Sequence, residues 1–147
     1  MTCRKDWMEN YSDLPVPEKV RLGDNRTVDA RGKGSVWLKV EAGGEYKPAE
    51  LLEVLYVPDL AKNLFSVSAV SKRGLTIVFK EDKCHILDDH NCIMGSGKKD
   101  GKLFILDSKP MSKSLHEANT ATNEKSLELW HQSVFFLLGL MIKIPRQ

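Results

Sequence analysis

Carboxylate pairs are the first feature of this sequence that could support catalysis, because two carboxylates sharing one proton can act as general acid and general base. Asp24 and Asp29 lie five residues apart. Neither is followed by Ser/Thr-Gly, the turn whose glycine lets the backbone approach such a carboxylate closely. No Asp-Ser-Gly or Asp-Thr-Gly occurs in the sequence, and the nearest approach is Asp107-Ser108-Lys109. The sequence therefore favours an Asx-turn role for Asp24 and predicts no catalytic residue.

Histidines and cysteines are too scattered to form a metal site. The three cysteines are an odd set without Cys-x-x-Cys spacing, so neither a disulfide framework nor a thiolate zinc site is predicted. No histidine has a partner at a ligand spacing, and no cofactor is expected. We interpret Cys84, Cys92 and His85 as strand residues of a protein in a reducing compartment. These cysteines and histidines are Cys3, Cys84, Cys92, His85, His90 and His116.

Composition indicates one domain of common size. The 147 residues are 29% charged with a net charge of +2, which gives no strong attraction to nucleic acid or to a membrane surface. The N-terminus lacks the apolar core of a signal peptide. The apolar run from Val134 to Leu140 is far shorter than the roughly 20 residues of a spanning helix. A cytoplasmic or nuclear protein without dedicated nucleic-acid or membrane binding is therefore expected.

The elements that position the carboxylates, cysteines and histidines are predicted to be short strands. Gly23-Asp24-Asn25 separates two alternating runs and predicts a hairpin, and Gly43 and Gly44 predict a tight turn. Trp7 and Trp37 are expected in the core. Regularly spaced strands favour a closed or nearly closed barrel, so the predicted fold is mainly β, a small β-barrel. The predicted strands are Lys19 to Leu22, Thr27 to Arg31, Ser35 to Val40, Leu51 to Val57, Leu75 to Phe79, Cys84 to Leu87, Cys92 to Met94 and Leu103 to Leu106.

The remaining segments differ from this pattern. Between Leu60 and Lys72 apolar residues recur at helical spacing, and Gly74 follows as a C-cap glycine, so one short helix is predicted there. Residues 108–123 are polar and predict a linker. A second helix is predicted from Lys125 to Leu140. The predicted organisation is a β domain over residues 1–107, the linker over 108–123 and a separate C-terminal segment over 124–147.

The segment Val54 to Ser71, Val-Leu-Tyr-Val-Pro-Asp-Leu-Ala-Lys-Asn-Leu-Phe-Ser-Val-Ser-Ala-Val-Ser, resembles the Pol polyprotein of copia-type retrotransposons. Met1-Thr2, Leu22-Gly23-Asp24 and the run from Gly32 to Val36 follow the order and spacing of the same family. Leu129-Trp130-His131 is similar to the start of its pre-integrase region. The resemblance covers roughly the first 131 residues. It implies the protease-like, retropepsin-like β-barrel of that polyprotein, running into the pre-integrase start.

Two sets of functional residues of that family are missing. The resemblance places the catalytic Asp-Ser/Thr-Gly just before Met1, so the chain as written should be proteolytically inactive. The zinc site of the pre-integrase region needs a second histidine and a Cys-x-x-Cys after His131, and neither follows. A structural zinc site stabilises a fold only with its full ligand set. His131 is therefore a single zinc-ligand residue whose partner ligands are missing. Residues 124–147 are interpreted as a truncated or aberrant pre-integrase start.

Gly32 and Gly34 admit two interpretations. As the root of a protease flap, they would let a hairpin close over an extended peptide bound by strand addition. As bulge glycines, they would let the strand from Ser35 to Val40 coil. The sequence leaves both open.

Three functional hypotheses follow from these residues. The chain is a fragment or domesticated relic of a copia-type Pol polyprotein without catalysis, or an N-terminally truncated aspartic endopeptidase that processes its own polyprotein, or a non-catalytic peptide-binding or assembly module. The partners that these hypotheses imply are an extended peptide and a second copy of the chain. Self-association as a homodimer is expected because exposed strand edges invite intermolecular pairing.

Overall fold

The fold comes from a computed structural model that describes residues 1–111 and 141–144. A 3-10 turn at Lys5–Trp7 precedes the strands, and one helix, α1 at Val67–Ser71, is present among the described residues. The predicted mainly β fold with one short helix is confirmed. The strands are β1 Met8–Arg21, β2 Thr27–Ala42, β3 Glu45–Tyr56, β4 Asn63–Ser66, β5 Thr76–Phe79, β6 Lys83–Leu87, β7 Ile93–Asp100, β8 Leu103–Leu106, β9 Ser108–Pro110 and β10 Met141–Ile144.

The first sheet contains the three longest strands in the order β1-β2-β3, all antiparallel. The predicted hairpin around Gly23-Asp24-Asn25 joins β1 to β2, and the predicted turn joins β2 to β3 with Gly43 at φ 67° and Gly44 at φ 99°. Glycine is the residue that takes such positive φ values without a Cβ clash. Both turn predictions are confirmed.

β9 pairs with the part of β2 that β1 does not reach. β1 covers β2 as far as Val36, and β9 pairs with Leu38, Lys39 and Val40. Met111 follows β9, is buried, and donates its amide hydrogen to the Trp37 carbonyl oxygen at 3.1 Å. Residues 108–111, predicted as the start of the linker, therefore pack on the first sheet. The rest of that linker and the helix from Lys125 to Leu140 lie outside the described residues.

The second sheet has the order β4-β10-β8-β7-β6-β5. The predicted meander is present as β5, β6, β7 and β8, each antiparallel to the next. β10 lies between β4 and β8, antiparallel to the first and parallel to the second. This places a four-residue strand in the segment 124–147 beside strands that lie much earlier in the chain.

The helix is shorter than the periodicity of residues 60–72 predicts. Residues Asn63–Ser66 form β4, and only Val67–Ser71 are helical. The Ser66 hydroxyl accepts a hydrogen bond from the Ala69 amide at 3.4 Å, which fixes the helix start. Gly74 has φ 78°, as expected of a glycine that ends a helical segment. Pairing of β4 with β10 overrides the local helical spacing, which one sequence window cannot show.

The main core lies between the two sheets. Leu38 of β2 and Ile86 of β6 are among its fully buried side chains, and Trp37 is buried as predicted. The expected closed barrel is not formed by the described residues. The strands make two open sheets, with β1 and β5 as outer strands that share no ladder. Between the sheets, β2 packs against β7 without forming a ladder with it.

Residues before the first strand connect the sheets on one side. The Thr2 amide donates to the Leu55 carbonyl oxygen at 2.9 Å, and the Val57 amide donates to the Thr2 carbonyl oxygen at 2.9 Å. The Leu64 amide in turn donates to the Met1 carbonyl oxygen at 3.0 Å. The start of the chain therefore runs between the end of β3 and β4.

Candidate functional site

The carboxylates Asp24 and Asp29 are bound by different cations. Asp24 accepts the Arg26 amide at 3.1 Å and the Arg26 Nε at 2.6 Å, and this side-chain hydrogen bond lowers the pKa of Asp24. Asp29 forms an ion pair of 2.7 Å with Lys19 across the β1–β2 hairpin. The Asx-turn prediction for Asp24 is confirmed, and the two carboxylates do not form a proton-sharing pair.

Gly32 and Gly34 lie in the middle of β2, with paired strands on both sides. Gly32 is in register with Asp13 of β1 and Tyr56 of β3, and a bulge in the β2–β3 pairing follows Gly34. A Cβ added at Gly34 would lie 2.7 Å from the Glu9 carbonyl oxygen, and one at Gly32 would overlap the Tyr11 ring. These glycines allow close approach of β1 to β2, which is the bulge interpretation. The flap interpretation stays a hypothesis.

An aromatic and charged cluster, which we call the Tyr11 cluster, covers these glycines. It consists of Lys5, Tyr11, Asp13 and Tyr56. The two rings meet edge to face with centroids 5.9 Å apart, and Lys5 Nζ lies 4.0 Å from the centroid of Tyr11 and 5.8 Å from that of Tyr56. The Tyr11 hydroxyl donates to Asp13 at 2.7 Å. Such a surface can stack planar or apolar groups while its lysine and carboxylate bind opposite charges.

Asp13 controls the ionisation of Tyr11, and this can be tested. The hydrogen bond to Asp13 raises the pKa of Tyr11 from its ordinary 10.0 to about 12. Because the folded pKa lies above the unfolded one, the stabilising contribution is present below pH 10 and is lost as pH rises through about 12. We expect Asp13→Ala to lower the pKa of one tyrosine towards 10 in a tyrosinate absorbance titration. Asp107→Ala removes the hydrogen bond that raises the pKa of Tyr46, so the double variant should lower the pKa of two tyrosines where each single variant lowers one. A titration unchanged by Asp13→Ala would contradict the assignment.

Asn63 is a fully buried polar residue that sequence reasoning did not identify. Its Oδ1 accepts from the Thr2 hydroxyl at 2.8 Å, from the Cys3 amide at 3.2 Å and from Cys3 Sγ at 3.6 Å. Thr2 is also buried and accepts the Arg4 amide at 3.0 Å. Asn63 Nδ2 has no hydrogen-bond partner among the described residues. We call these residues the Asn63 hub, and it attaches the start of the chain to β4.

The predicted roles of the cysteines and histidines have different outcomes. Cys84 is fully buried in β6, as predicted, and burial raises the pKa of its thiol. His85 lies on the same strand, with Nδ1 3.2 Å from the Ser96 hydroxyl. The strand role of Cys92 is wrong, because it is exposed in the turn before β7. The Asp88 side chain accepts its amide at 2.7 Å and so holds it in that turn.

The same turn contains a possible ligand set that the sequence spacing did not reveal. One ligand atom from each of Asp88, Asp89 and His90 lies within 4.8 Å of the others. Asp88 is engaged by the His90 amide at 2.9 Å, and Asp89 lies 2.7 Å from His90 Nδ1. These contacts explain the arrangement as a polar turn. His116 and His131 lie outside the described residues.

Over residues 1–111 and 141–144, no helix has the length and apolar character needed to cross a bilayer.

Comparison with known families identifies the family of the chain. The model of the family described as Pol polyprotein, beta-barrel domain, matches residues 1–75, which contain β1 to β4, the Tyr11 cluster and the Asn63 hub. No curated protein and no solved structure matches the chain. The chain belongs to the Pol polyprotein β-barrel domain family.

Proposed function

We propose that the chain is a fragment or domesticated relic of a copia-type Pol polyprotein that has no endopeptidase activity. The observation that carries this proposal is the absence of Asp-Ser/Thr-Gly from the whole sequence of a chain that matches the family. Cleavage by an aspartic protease requires one carboxylate to activate water while the other polarises the scissile carbonyl. Two identical chains without that aspartate would not supply the pair either.

Two carboxylates on the strands beside the paired glycines, Asp13 and Glu53, support the same conclusion. Asp13 accepts the Tyr11 hydroxyl, and Glu53 forms an ion pair of 2.7 Å with Lys33. Each of these side chains is therefore bound to its own phenol or ammonium group. A catalytic pair instead needs two carboxyl groups close enough to share a proton.

Proteolysis of extended peptides tests the proposal directly. The full chain should cleave neither a peptide library nor a Pol polyprotein substrate above the rate of buffer, from acidic to neutral pH. A chain heated beyond its unfolding transition serves as the control for contaminating proteases. Cleavage that pepstatin inhibits and that the folded chain alone shows would refute the proposal.

An N-terminally truncated aspartic endopeptidase is the second candidate. The resemblance places the missing triplet immediately before Met1, and Met1 itself lies inside the fold, where its amino group donates to the Leu64 carbonyl oxygen at 2.9 Å. Sequencing the transcript across its 5′ end distinguishes the candidates. An in-frame Asp-Ser/Thr-Gly just upstream of Met1 would favour the endopeptidase, and its absence would favour the relic.

A peptide-binding or assembly role is the third candidate, and the Tyr11 cluster above Gly32 and Gly34 is the observation that favours it. The surface combines two aromatic rings with a lysine and a carboxylate. Micromolar affinity for extended peptides would support this role, and failure to bind any peptide below millimolar would exclude it.

The three free cysteines are consistent with a reducing compartment, cytoplasm or nucleus.

Self-association is the expected behaviour of the open second sheet. β5, Thr-Ile-Val-Phe, is a short outer strand without charge or proline, and its Val78 is 36% exposed. The outer strand of the first sheet, β1, contains Pro15 and Pro17, which lack the amide hydrogens that pairing requires. We expect concentration-dependent dimers in sedimentation, weakened by Val78→Lys and unaffected by Val16→Lys, since Val16 is exposed beside those prolines. A single monomer boundary at high concentration would contradict this prediction.

A further inference from the structure

β10 occupies a gap between two strands that are distant from it in sequence. Met141, Ile142, Lys143 and Ile144 are in antiparallel register with Ser66, Phe65, Leu64 and Asn63 of β4. On its other side, β10 is parallel to β8, with Ile142 opposite Phe104 and Lys143 opposite Ile105. Without β10, the facing edges of β4 and β8 would both present unpaired backbone groups.

The walls of this gap, which we call the strand slot, are apolar on the core side around Phe65 and Phe104, whereas Asn63, opposite Ile144, is buried and polar. Phe65, Phe104 and Leu106 are all buried, and Phe65 and Phe104 belong to the core between the sheets. Leu64 and Ile105, on the opposite face, are partly buried. The register position of Ile142 lies between Phe65 and Phe104, so the slot favours an apolar residue there. Hydrogen bonds on both sides supply affinity independent of sequence, and this register position supplies selectivity.

We propose that the strand slot is a binding site for one extended strand with the sequence of Met141–Ile144, which the chain fills with its own segment and which the same sequence can fill in trans. The site is separate from Gly32 and Gly34 and does not depend on whether the chain has lost catalysis. A segment of the same chain competes as an intramolecular ligand, with an effective concentration up to about millimolar. Trans binding is therefore weak until the internal strand is displaced.

Peptide exchange on the full chain tests the proposal. The probe is a fluorescent peptide with the sequence of residues 139–146, Gly-Leu-Met-Ile-Lys-Ile-Pro-Arg. Ile142→Pro in the full chain removes an amide hydrogen from the internal strand and should vacate the slot. We expect the Ile142→Pro chain to bind the probe at least tenfold more tightly than the wild-type chain does in anisotropy titrations. A second probe, with proline in place of Ile142, should bind neither chain. Equal affinities for variant and wild type, or for both probes, would overturn the proposal.

A cross-link tests the slot without the proline variant. Residues paired in an antiparallel ladder have Cα atoms about 4.5–5.5 Å apart, within the range a disulfide spans. In a Cys3→Ser, Cys92→Ser background, Leu64→Cys with Lys143→Cys should oxidise to an intramolecular disulfide. Leu64→Cys with Ile144→Cys, one residue out of register, should do so far more slowly.

The cross-linked chain also provides a binding measurement. The oxidised Leu64→Cys/Lys143→Cys chain should bind the probe at least tenfold more weakly than the same chain after reduction. The disulfide holds β10 against β4, so the probe cannot displace the internal strand. Unchanged binding after oxidation, or equal cross-linking in both cysteine pairs, would overturn the proposal.

Discussion

Gly34→Val is expected to destabilise the fold by about 1–3 kcal/mol, towards the upper end of the usual cost of overpacking. The added Cβ would lie 2.7 Å from the Glu9 carbonyl oxygen and 3.2 Å from Tyr11 Cα. Both neighbours are backbone atoms of β1, so relief requires the strands to separate. Because typical domains are stable by only 5–15 kcal/mol, the loss is large. The Gly34→Val substitution should lower the midpoint of urea unfolding by roughly 1 M.

The control for this variant is Gly23→Val. Gly23 lies in the turn between β1 and β2, has no heavy atom within 4 Å of an added Cβ, and is not at positive φ. Its substitution should change stability by less than about 0.5 kcal/mol, as at other open surface positions. The pair also separates the two interpretations of the glycines. A Gly34→Val chain that keeps wild-type stability but loses peptide binding would contradict the bulge interpretation and support the flap.

Asn63→Ala is expected to cost about 2–4 kcal/mol, because it leaves one buried and one partly buried donor without an acceptor, and a fully buried unsatisfied donor costs about 1–3 kcal/mol. Those donors are the Thr2 hydroxyl and the Cys3 amide. The loss should appear in urea unfolding, and hydrogen exchange at the Thr2 and Val57 amides should increase because the backbone hydrogen bonds that they donate depend on the hub. Exchange in the β5–β6 hairpin should rise only with global unfolding.

Thr2→Val separates the hydrogen bond from the volume of the side chain. It removes the hydroxyl while keeping the size, and Thr2→Ser is the matched control that keeps the hydroxyl. A double-mutant cycle with Asn63→Ala should give a coupling energy of about 1 kcal/mol, typical of neighbouring groups in one network. Additive effects of the two substitutions would contradict a shared network.

Local chemistry made the turns predictable. Gly23-Asp24-Asn25 and Gly43-Gly44 carry the turn signal in their own residues, and the structure places hairpins at both. The sequence does not predict the first part of β1, because Pro15 and Pro17 obscure a strand that pairs only along one edge. The predicted helix is longer than the observed one because β4 depends on pairing with β10, which lies far away in sequence.

The candidate site was predictable only in part. Gly32 and Gly34 stand out in the sequence, but the Tyr11 ring above them is brought there by strand pairing. Asn63 has no sequence signal at all. A polar residue in a turn-like sequence is ordinarily exposed, and its burial follows from the start of the chain lying against β4.

The position of β10 sets an order for folding during synthesis. β1, β2 and β3 pair with neighbours in sequence, so the first sheet can form while later residues are still within the ribosome. β4 and β8 gain their shared neighbour only after residue 144 has been added. Between the synthesis of β8 and that of β10, a nascent chain therefore carries two strand edges without their shared neighbour, and exposed edges of this kind are what chaperones protect from aggregation.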